Sequence, residues 1–129
     1  MNSIIQCVSN TPPLRNFFIT GQYKMEINKS NPLGQQGKLA HEFARLLTDI
    51  WSGEYVVVAP RSGWQQHDSQ EFLGYVLDGL HEDLNLVKSK PYTEKIESNG
   101  RPDIEVANLS WQLHLMRNRS KIVDLFQVL

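Results

Sequence analysis

The strongest constraint on the fold of this chain is an apolar stripe at helical spacing between Gly34 and Gly53. Apolar residues recur there every three or four positions, and charged residues fill the opposite face, which is typical of a half-buried α-helix. The stripe consists of Leu39, Phe43, Leu46, Leu47, Ile50 and Trp51, and the charged face of Lys38, Glu42, Arg45 and Asp49. Gly53 is a plausible C-terminal stop. Such a helix needs other elements to cover its stripe, so the pattern predicts a shared helical core.

Two further segments carry similar patterns and predict two more helices. One runs from about Ser69 to Leu86, and Asp68 or Ser69 can cap its start. Its stripe is Phe72, Leu73, Val76, Leu77, Leu80, Leu84 and Val87. Another opens near Asp103 with Glu105 in its first turn. Its expected buried side is Val106, Leu109, Leu113 and Met116.

The remaining segments are shorter. We expect a helix from Asn2 to Asn10, and a second one after Thr11-Pro12-Pro13 that carries Leu14, Phe17 and Phe18, since proline suits a first helical turn. Residues 55–59 form the one good strand candidate, closed by Pro60. Residues 28–37 and 88–102 are expected to be loops. The fold class is therefore mainly α.

Composition narrows the function classes. With 129 residues the chain suits one domain or a piece of one, and 13 basic against 14 acidic residues give 13 − 14 = −1, which argues against a nucleic-acid binder. No apolar run approaches the roughly 20 residues of a membrane helix. The single cysteine excludes a disulfide framework and a cysteine-based zinc site within this chain, and predicts the cytoplasm or the nucleus. No histidine or carboxylate spacing typical of a metal site occurs, so no metal is expected.

The four histidines and Cys7 invite comparison with thiol proteases. Cys7 could be a nucleophile activated by His41, His67, His81 or His114. The interpretation we favour makes Cys7 a small buried packing residue inside the first helix. For His41, His81 and His114, we favour solvated or hydrogen-bonded side chains on helices, with Glu82 and Asp83 suggesting a polar face around His81.

A denser polar cluster lies at residues 64–72, where three amides, a histidine and two carboxylates crowd a helix start. Asp68 and Glu71 are three residues apart, so both can project from one side of the first turn. They could pair with arginines of an extended peptide. On composition alone the simpler interpretation, a helix N-cap with a capping-box partner, is preferred.

These residues also carry a family resemblance. Gln66-His67-Asp68-Ser69-Gln70-Glu71-Phe72, and then Leu77-Asp78-Gly79-Leu80-His81-Glu82-Asp83-Leu84-Asn85, resemble the second signature region of the ubiquitin-specific proteases. The opening Met1-Asn2-Ser3-Ile4-Ile5-Gln6-Cys7 resembles the end of that family's cysteine box. Similar spacing at residues 10–14, 31–34, 47–53, 100–103 and 122–127 extends the resemblance over nearly the whole chain.

The resemblance implies a papain-like thiol isopeptidase that cleaves after the terminal glycine of ubiquitin. Residues 1–129 would form the helical thumb, with the fingers, their structural zinc, and the palm outside this chain. In the family motif the nucleophile stands two residues before Met1, so no catalytic residue is assigned here and Cys7 is not the catalytic position. Gln66, Asp68 and Glu71 take the positions that contact the basic C-terminal tail of ubiquitin, which reverses the preference for a cap alone.

The resemblance also implies partners and a missing segment. The expected partners are ubiquitin or ubiquitinated proteins. The family has an additional helical segment between Arg61 and Ser62, whose absence is expected to expose apolar surface and to displace the strand at residues 55–59. Helices whose partners lie in the palm are expected to expose apolar stripes such as Phe72, Val76 and Leu80. Without nucleophile and general base, this chain is expected to be inactive. The alternative is a short non-catalytic protein that binds ubiquitin or has a regulatory role.

Overall fold

A computed structural model of the protein describes residues 2–55, 58 and 68–127. Within these residues the chain forms six α-helices and one 3-10 helix, and no strand. The α-helices are α1 (Asn2–Ser9), α2 (Pro12–Ile19), α3 (Lys38–Ser52), α4 (Ser69–Asp83), α5 (Asp103–Arg117) and α6 (Lys121–Phe126). The 3-10 helix is Gln22–Glu26. The prediction of a mainly helical fold is confirmed for the described residues.

The predicted loops 28–37 and 88–102 contain no helix or strand. The first loop ends at Gly37, the N-cap residue of α3. Of the predicted strand over residues 55–59, Tyr55 and Val58 belong to no helix or strand, and the other three residues lie outside the described part. The sequence patterns missed the 3-10 helix and α6. Both are too short for an apolar periodicity to show, because six residues make fewer than two helical turns.

The core forms where α2, α3 and α4 meet. Phe18 of α2 packs edge-on against Phe43 of α3, with 4.9 Å between ring centroids. Tyr23 packs against the ring of Phe18, with 5.2 Å between ring centroids. Residues from α4 complete the cluster. Phe72, Val76 and Leu80 are at most 2% exposed. The expectation that these three form an exposed stripe is therefore wrong, because α1, α3 and α6 all contact α4.

The close approach of α3 to α4 depends on Gly79. A Cβ atom at this position would collide with Cδ2 of Leu39, which is itself 3% exposed. The absence of a side chain at position 79 leaves the space that Cδ2 of Leu39 occupies between the two helices.

Buried polar side chains attach the loops to this core. The carboxylate of Asp83, fully buried at the end of α4, accepts the N–H of Gln35 at 2.6 Å and the N–H of Ala40 at 3.2 Å. It thereby caps α3, whose own N-cap residue, Gly37, has no side chain. Asn28 donates to the carbonyl of Asn85 at 2.9 Å across the same end of α4. Residues 28–37 are thus part of the packed structure, although they contain no regular element.

The predicted buried side of α5 is wrong. No residue of α5 is buried, Val106, Leu109 and Leu113 are half-buried, and Met116 is 51% exposed. At 100° per residue, Ile104, Trp111 and Leu115 fall on the face opposite to these four residues. The helix therefore has two apolar stripes on opposite faces, and only part of each is covered.

Candidate functional site

The site predicted from the sequence lies at the start of α4. Asp68 is the N-cap residue, with extended backbone, and its Oδ1 accepts the N–H of Glu71 at 2.9 Å. The predicted cap is thus confirmed at Asp68, while Ser69 is the first residue of the helix. Asp68, Ser69, Gln70 and Glu71 are all exposed. Gln66 and His67 lie outside the described residues, so the roles predicted for them stay predictions.

This start of α4 is held rigidly because buried residues follow at once. Phe72 is 1% exposed, and Val76 and Leu80 continue the buried face over the next two turns. The negative charges of Asp68 and Glu71 also suit the positive end of the helix dipole. Two carboxylates thus sit at a fixed place on the surface, one turn from the core, where a basic segment could reach both.

His81 is buried among polar side chains, so of the two alternatives expected for it, solvated or hydrogen-bonded, the structure shows the hydrogen-bonded one. Its Nδ1 lies 2.8 Å from Oγ of Ser120, and its Nε2 lies 3.1 Å from Oδ1 of Asn118. Ser120 also caps α6 by accepting the N–H of Val123 at 3.2 Å. Both ring nitrogens of His81 thus have a hydrogen-bond partner. His81 therefore joins α4 to the start of α6 and has a structural role.

The other two described histidines are hydrogen-bonded, as expected. Nδ1 of His41 lies 2.9 Å from the hydroxyl of Tyr23, whose pKa is raised by burial. His114 stacks on Trp111 with 5.2 Å between ring centroids, and its Nε2 lies 2.8 Å from Oε1 of Gln127. No described histidine is therefore held next to a thiol.

Cys7 is exposed, so the interpretation of a buried packing thiol is wrong. The buried side of α1 is formed by Val8 and Ser9, with Ile4 and Ile5 half-buried. At 100° per residue Cys7 points about 130° away from the centre of that face. The thiol thus faces solvent within α1, and the helix is anchored by its neighbours.

The structure adds a groove of mixed polar and apolar lining that sequence reasoning missed. It has a volume of about 360 Å³ between α1 and the last turn of α3, and Ile5, Leu46, Ile50 and Trp51 contribute to its lining. Ile50 is 36% and Trp51 45% exposed, which corrects their prediction as core residues. Trp51 is fixed by Arg15, which stacks 4.4 Å from its ring centroid, and by an N–H donated to the Ser9 carbonyl at 3.1 Å. The sequence feature that could have indicated this groove is the length of the α3 stripe, which continues one helical turn beyond the core.

In the described part of the chain, no three histidine, cysteine or acidic side chains are grouped so as to hold a metal ion. None of the described helices combines the length and apolar character needed to cross a membrane. The exposed carboxylates at the start of α4 are therefore the feature to compare with known proteins.

The family model of the ubiquitin carboxyl-terminal hydrolases matches residues 1–129. The chain belongs to this family. It is 50% identical to ubiquitin carboxyl-terminal hydrolase 4 of Pongo abelii and of Mus musculus, over 98% of this chain in both cases. It is 48% identical to ubiquitin carboxyl-terminal hydrolase 15 of Xenopus tropicalis, again over 98% of the chain. These matches confirm the family resemblance of the sequence motifs.

The relatives differ from the chain in length in two ways. The chain spans only 14% of the length of each of these three hydrolases. The matches also extend over 139 residues, whereas the chain has 129, so the relatives have at least 139 − 129 = 10 residues in the matched region that this chain lacks. The extra segment expected between Arg61 and Ser62, which lie outside the described residues, stays a prediction.

Proposed function

We propose that this chain forms the helical thumb of a cysteine-type deubiquitinase, and that Asp68 and Glu71, together with Gln66, bind the C-terminal tail of ubiquitin. The observation that carries this proposal is the position of the two described carboxylates. Both are exposed at the start of a helix that is fixed by buried residues from Phe72 onward. A tail with arginines, ending in two glycines, offers matching charge and a narrow backbone.

The catalytic role proposed for this chain is to position the tail, without carrying out the chemistry. Thiol-mediated hydrolysis requires a thiolate beside a histidine, which takes and returns the proton. Cys7, the single cysteine of the sequence, faces solvent on α1. The hydrogen bonds of His41, His81 and His114 go to groups other than thiols. We therefore expect no hydrolysis of ubiquitin conjugates by this chain alone.

A titration of isotope-labelled ubiquitin with the 129-residue chain, followed by nuclear magnetic resonance, tests the proposal. The double variant Asp68→Asn with Glu71→Gln removes both charges. Asparagine still caps a helix, so α4 should remain intact. Exposed ion pairs contribute about 0.2–1 kcal/mol each, so the ubiquitin tail should be bound roughly 2- to 30-fold more weakly. Raising the salt concentration should weaken wild-type binding in the same direction.

The matched control is Asp78→Asn, which removes one exposed carboxylate further along α4. This variant should bind the tail as the wild type does. The proposal is wrong if tail resonances do not shift with the wild type, or if Asp78→Asn weakens binding as much as the double variant.

The alternative, a non-catalytic ubiquitin-binding or regulatory protein, has one observation in its favour. The core that fixes α4 is built from residues of this chain alone, so the two carboxylates can be presented without further domains. A ubiquitin probe with a C-terminal electrophile tests the inactivity that both interpretations share. The chain should remain unmodified, and an adduct on Cys7 would contradict both.

A further inference from the structure

The turn that leads into α5 contains a feature that neither the fold nor the proposed function uses. Residues 98–101 read Ser-Asn-Gly-Arg, and this is the one place in the sequence where glycine follows asparagine. The N–H of Arg101 donates to the carbonyl of Ser98 at 2.8 Å. Asn99 has φ +45° and Gly100 has φ +77°. Positive φ at both central residues is the mark of a type I′ turn.

We infer that Asn99 is the site of a spontaneous chemical modification, its conversion to aspartate and isoaspartate. The amide nitrogen of Gly100 attacks Cγ of Asn99, a C–N bond forms, and the side-chain nitrogen leaves as ammonia with the amide proton. Water then opens the resulting succinimide ring. Opening at Cγ gives aspartate, while opening at the main-chain carbonyl gives isoaspartate, with one additional methylene group in the backbone.

The surroundings of this dipeptide favour the reaction. Asn99 and Gly100 are both exposed, so water and base have access. A Cβ placed on Gly100 would meet no atom within 4 Å apart from its chain neighbours, so this side of the turn is open. One turn hydrogen bond at the surface opens easily, which allows Cγ to approach that nitrogen. Any residue other than glycine after asparagine would carry a side chain next to the attacking nitrogen, and this side chain would hinder the attack.

Other asparagines are protected by their structure. Asn28, Asn31 and Asn85 are buried, and their side-chain amides donate to the carbonyls of Asn85, Glu82 and Arg117 respectively. Asn16 and Asn108 lie within α2 and α5, where the amide of the next residue belongs to a helix. Asn10 is exposed outside a helix but is followed by Thr11, a β-branched residue.

The modification would act on α5. Residues 93–96 and the α5 residues Leu113 and Arg117 line a shared groove of about 480 Å³. The turn at residues 98–101 joins these two walls, and α5 begins two residues later at Asp103. An additional backbone methylene in the turn would alter how the chain enters α5. The aspartate product would also add a negative charge close to Asp103 and Glu105.

The test is to incubate the folded chain at mildly alkaline pH and to follow it by ion exchange and peptide mass spectrometry. We expect an acidic species, in which the formal charge falls by one from −1 to −2, with the mass change located in the peptide that contains Asn99. An isoaspartate-specific methyltransferase should label the same peptide. The peptide that contains Asn10 is the internal reference and should change later.

The control variant is Asn99→Gln, because the longer side chain would have to close a six-membered ring, which forms more slowly. It should not give the early acidic species. The inference is overturned if this variant forms that species at the wild-type rate, or if Asn10 or a buried asparagine is modified first. Neither outcome depends on ubiquitin binding, so the test is independent of the proposed function.

Discussion

Helices α4 and α5 have the same length, 15 residues, but opposite relations to the core. α4 concentrates Phe72, Val76 and Leu80 on one face, and these residues are at most 2% exposed. α5 distributes its apolar residues over two opposite faces and buries none of them. Apolar content alone therefore does not predict burial. A single stripe allows a helix to dock on one neighbour, whereas two stripes need a neighbour on each side.

The neighbours of α5 are irregular segments. Residues 93–96 line one groove together with Leu113, and Val87 and Pro91 line another together with Leu115 and Met116. Arg117 fixes one point of this arrangement, because its Nη1 donates to the Pro91 carbonyl at 2.9 Å. We therefore expect the core to determine the stability of the chain, and α5 to contribute little to it.

The largest expected effect comes from paired leucine truncations in the two helices. Leu80→Ala removes a side chain that is fully buried in α4 and should lower the free energy of unfolding by about 2–5 kcal/mol. Leu109→Ala removes the same atoms from a half-buried position in α5 and should cost less than about 1 kcal/mol. Urea unfolding of both variants measures the difference. Equal losses would show that α5 belongs to the same cooperative unit as the core.

The same contrast explains which parts of the fold the sequence could predict. The stripes of α3 and α4 identified Leu39, Phe43 and Val76 as core residues because each helix has one strong apolar face. The same reasoning failed for Cys7 and Met116, where burial depends on which neighbouring segment is present. Periodicity carries no information on such neighbours.

For the candidate site, the sequence predicted the cap at Asp68 because an aspartate before an apolar periodic segment is a local signal. The proximity of Asp68 and Glu71 also follows from local helical spacing. Nothing local indicated that Asp83 would cap α3 or that His81 would reach Ser120. These contacts join residues 39 or more positions apart, and they depend on how the helices pack.

A smaller effect should separate two aspartates of α4. Asp83→Asn leaves one oxygen where two now accept the N–H groups of Gln35 and Ala40. One buried donor then loses its partner, which should cost about 1–3 kcal/mol. Asp78→Asn, on the exposed side of the same helix, is the matched control and should be close to neutral. If both variants unfold at the same urea concentration, Asp83 does not hold residues 28–37 to the core.

The smallest expected effect concerns acid stability and Glu82, which joins the core to residues 88–102. Burial raises the pKa of Glu82, but the hydrogen bonds from Asn31 and Lys90, with the charges of Lys90 and His81, outweigh it, so that the pKa is lowered overall. The Nζ of Lys90 lies 3.1 Å from Oε2 of Glu82. A carboxyl group with a lowered pKa binds protons less readily in the folded state than in the unfolded state. Its contribution is complete above the unfolded-state pKa and is lost as the pH falls through the folded-state pKa.

Glu82→Gln should therefore lower stability at neutral pH and make the acid side of the stability profile less steep. The change should be small, since Lys90 and Glu82 are each about one-fifth exposed and solvent screens their attraction. Glu94→Gln, at an exposed position in the loop before α5, is the control and should keep the wild-type slope. Unfolding free energies of the wild type and both variants, measured from neutral to acidic pH, test this prediction. An unchanged slope in Glu82→Gln would mean that residues 88–102 are attached to the core by contacts other than this ion pair.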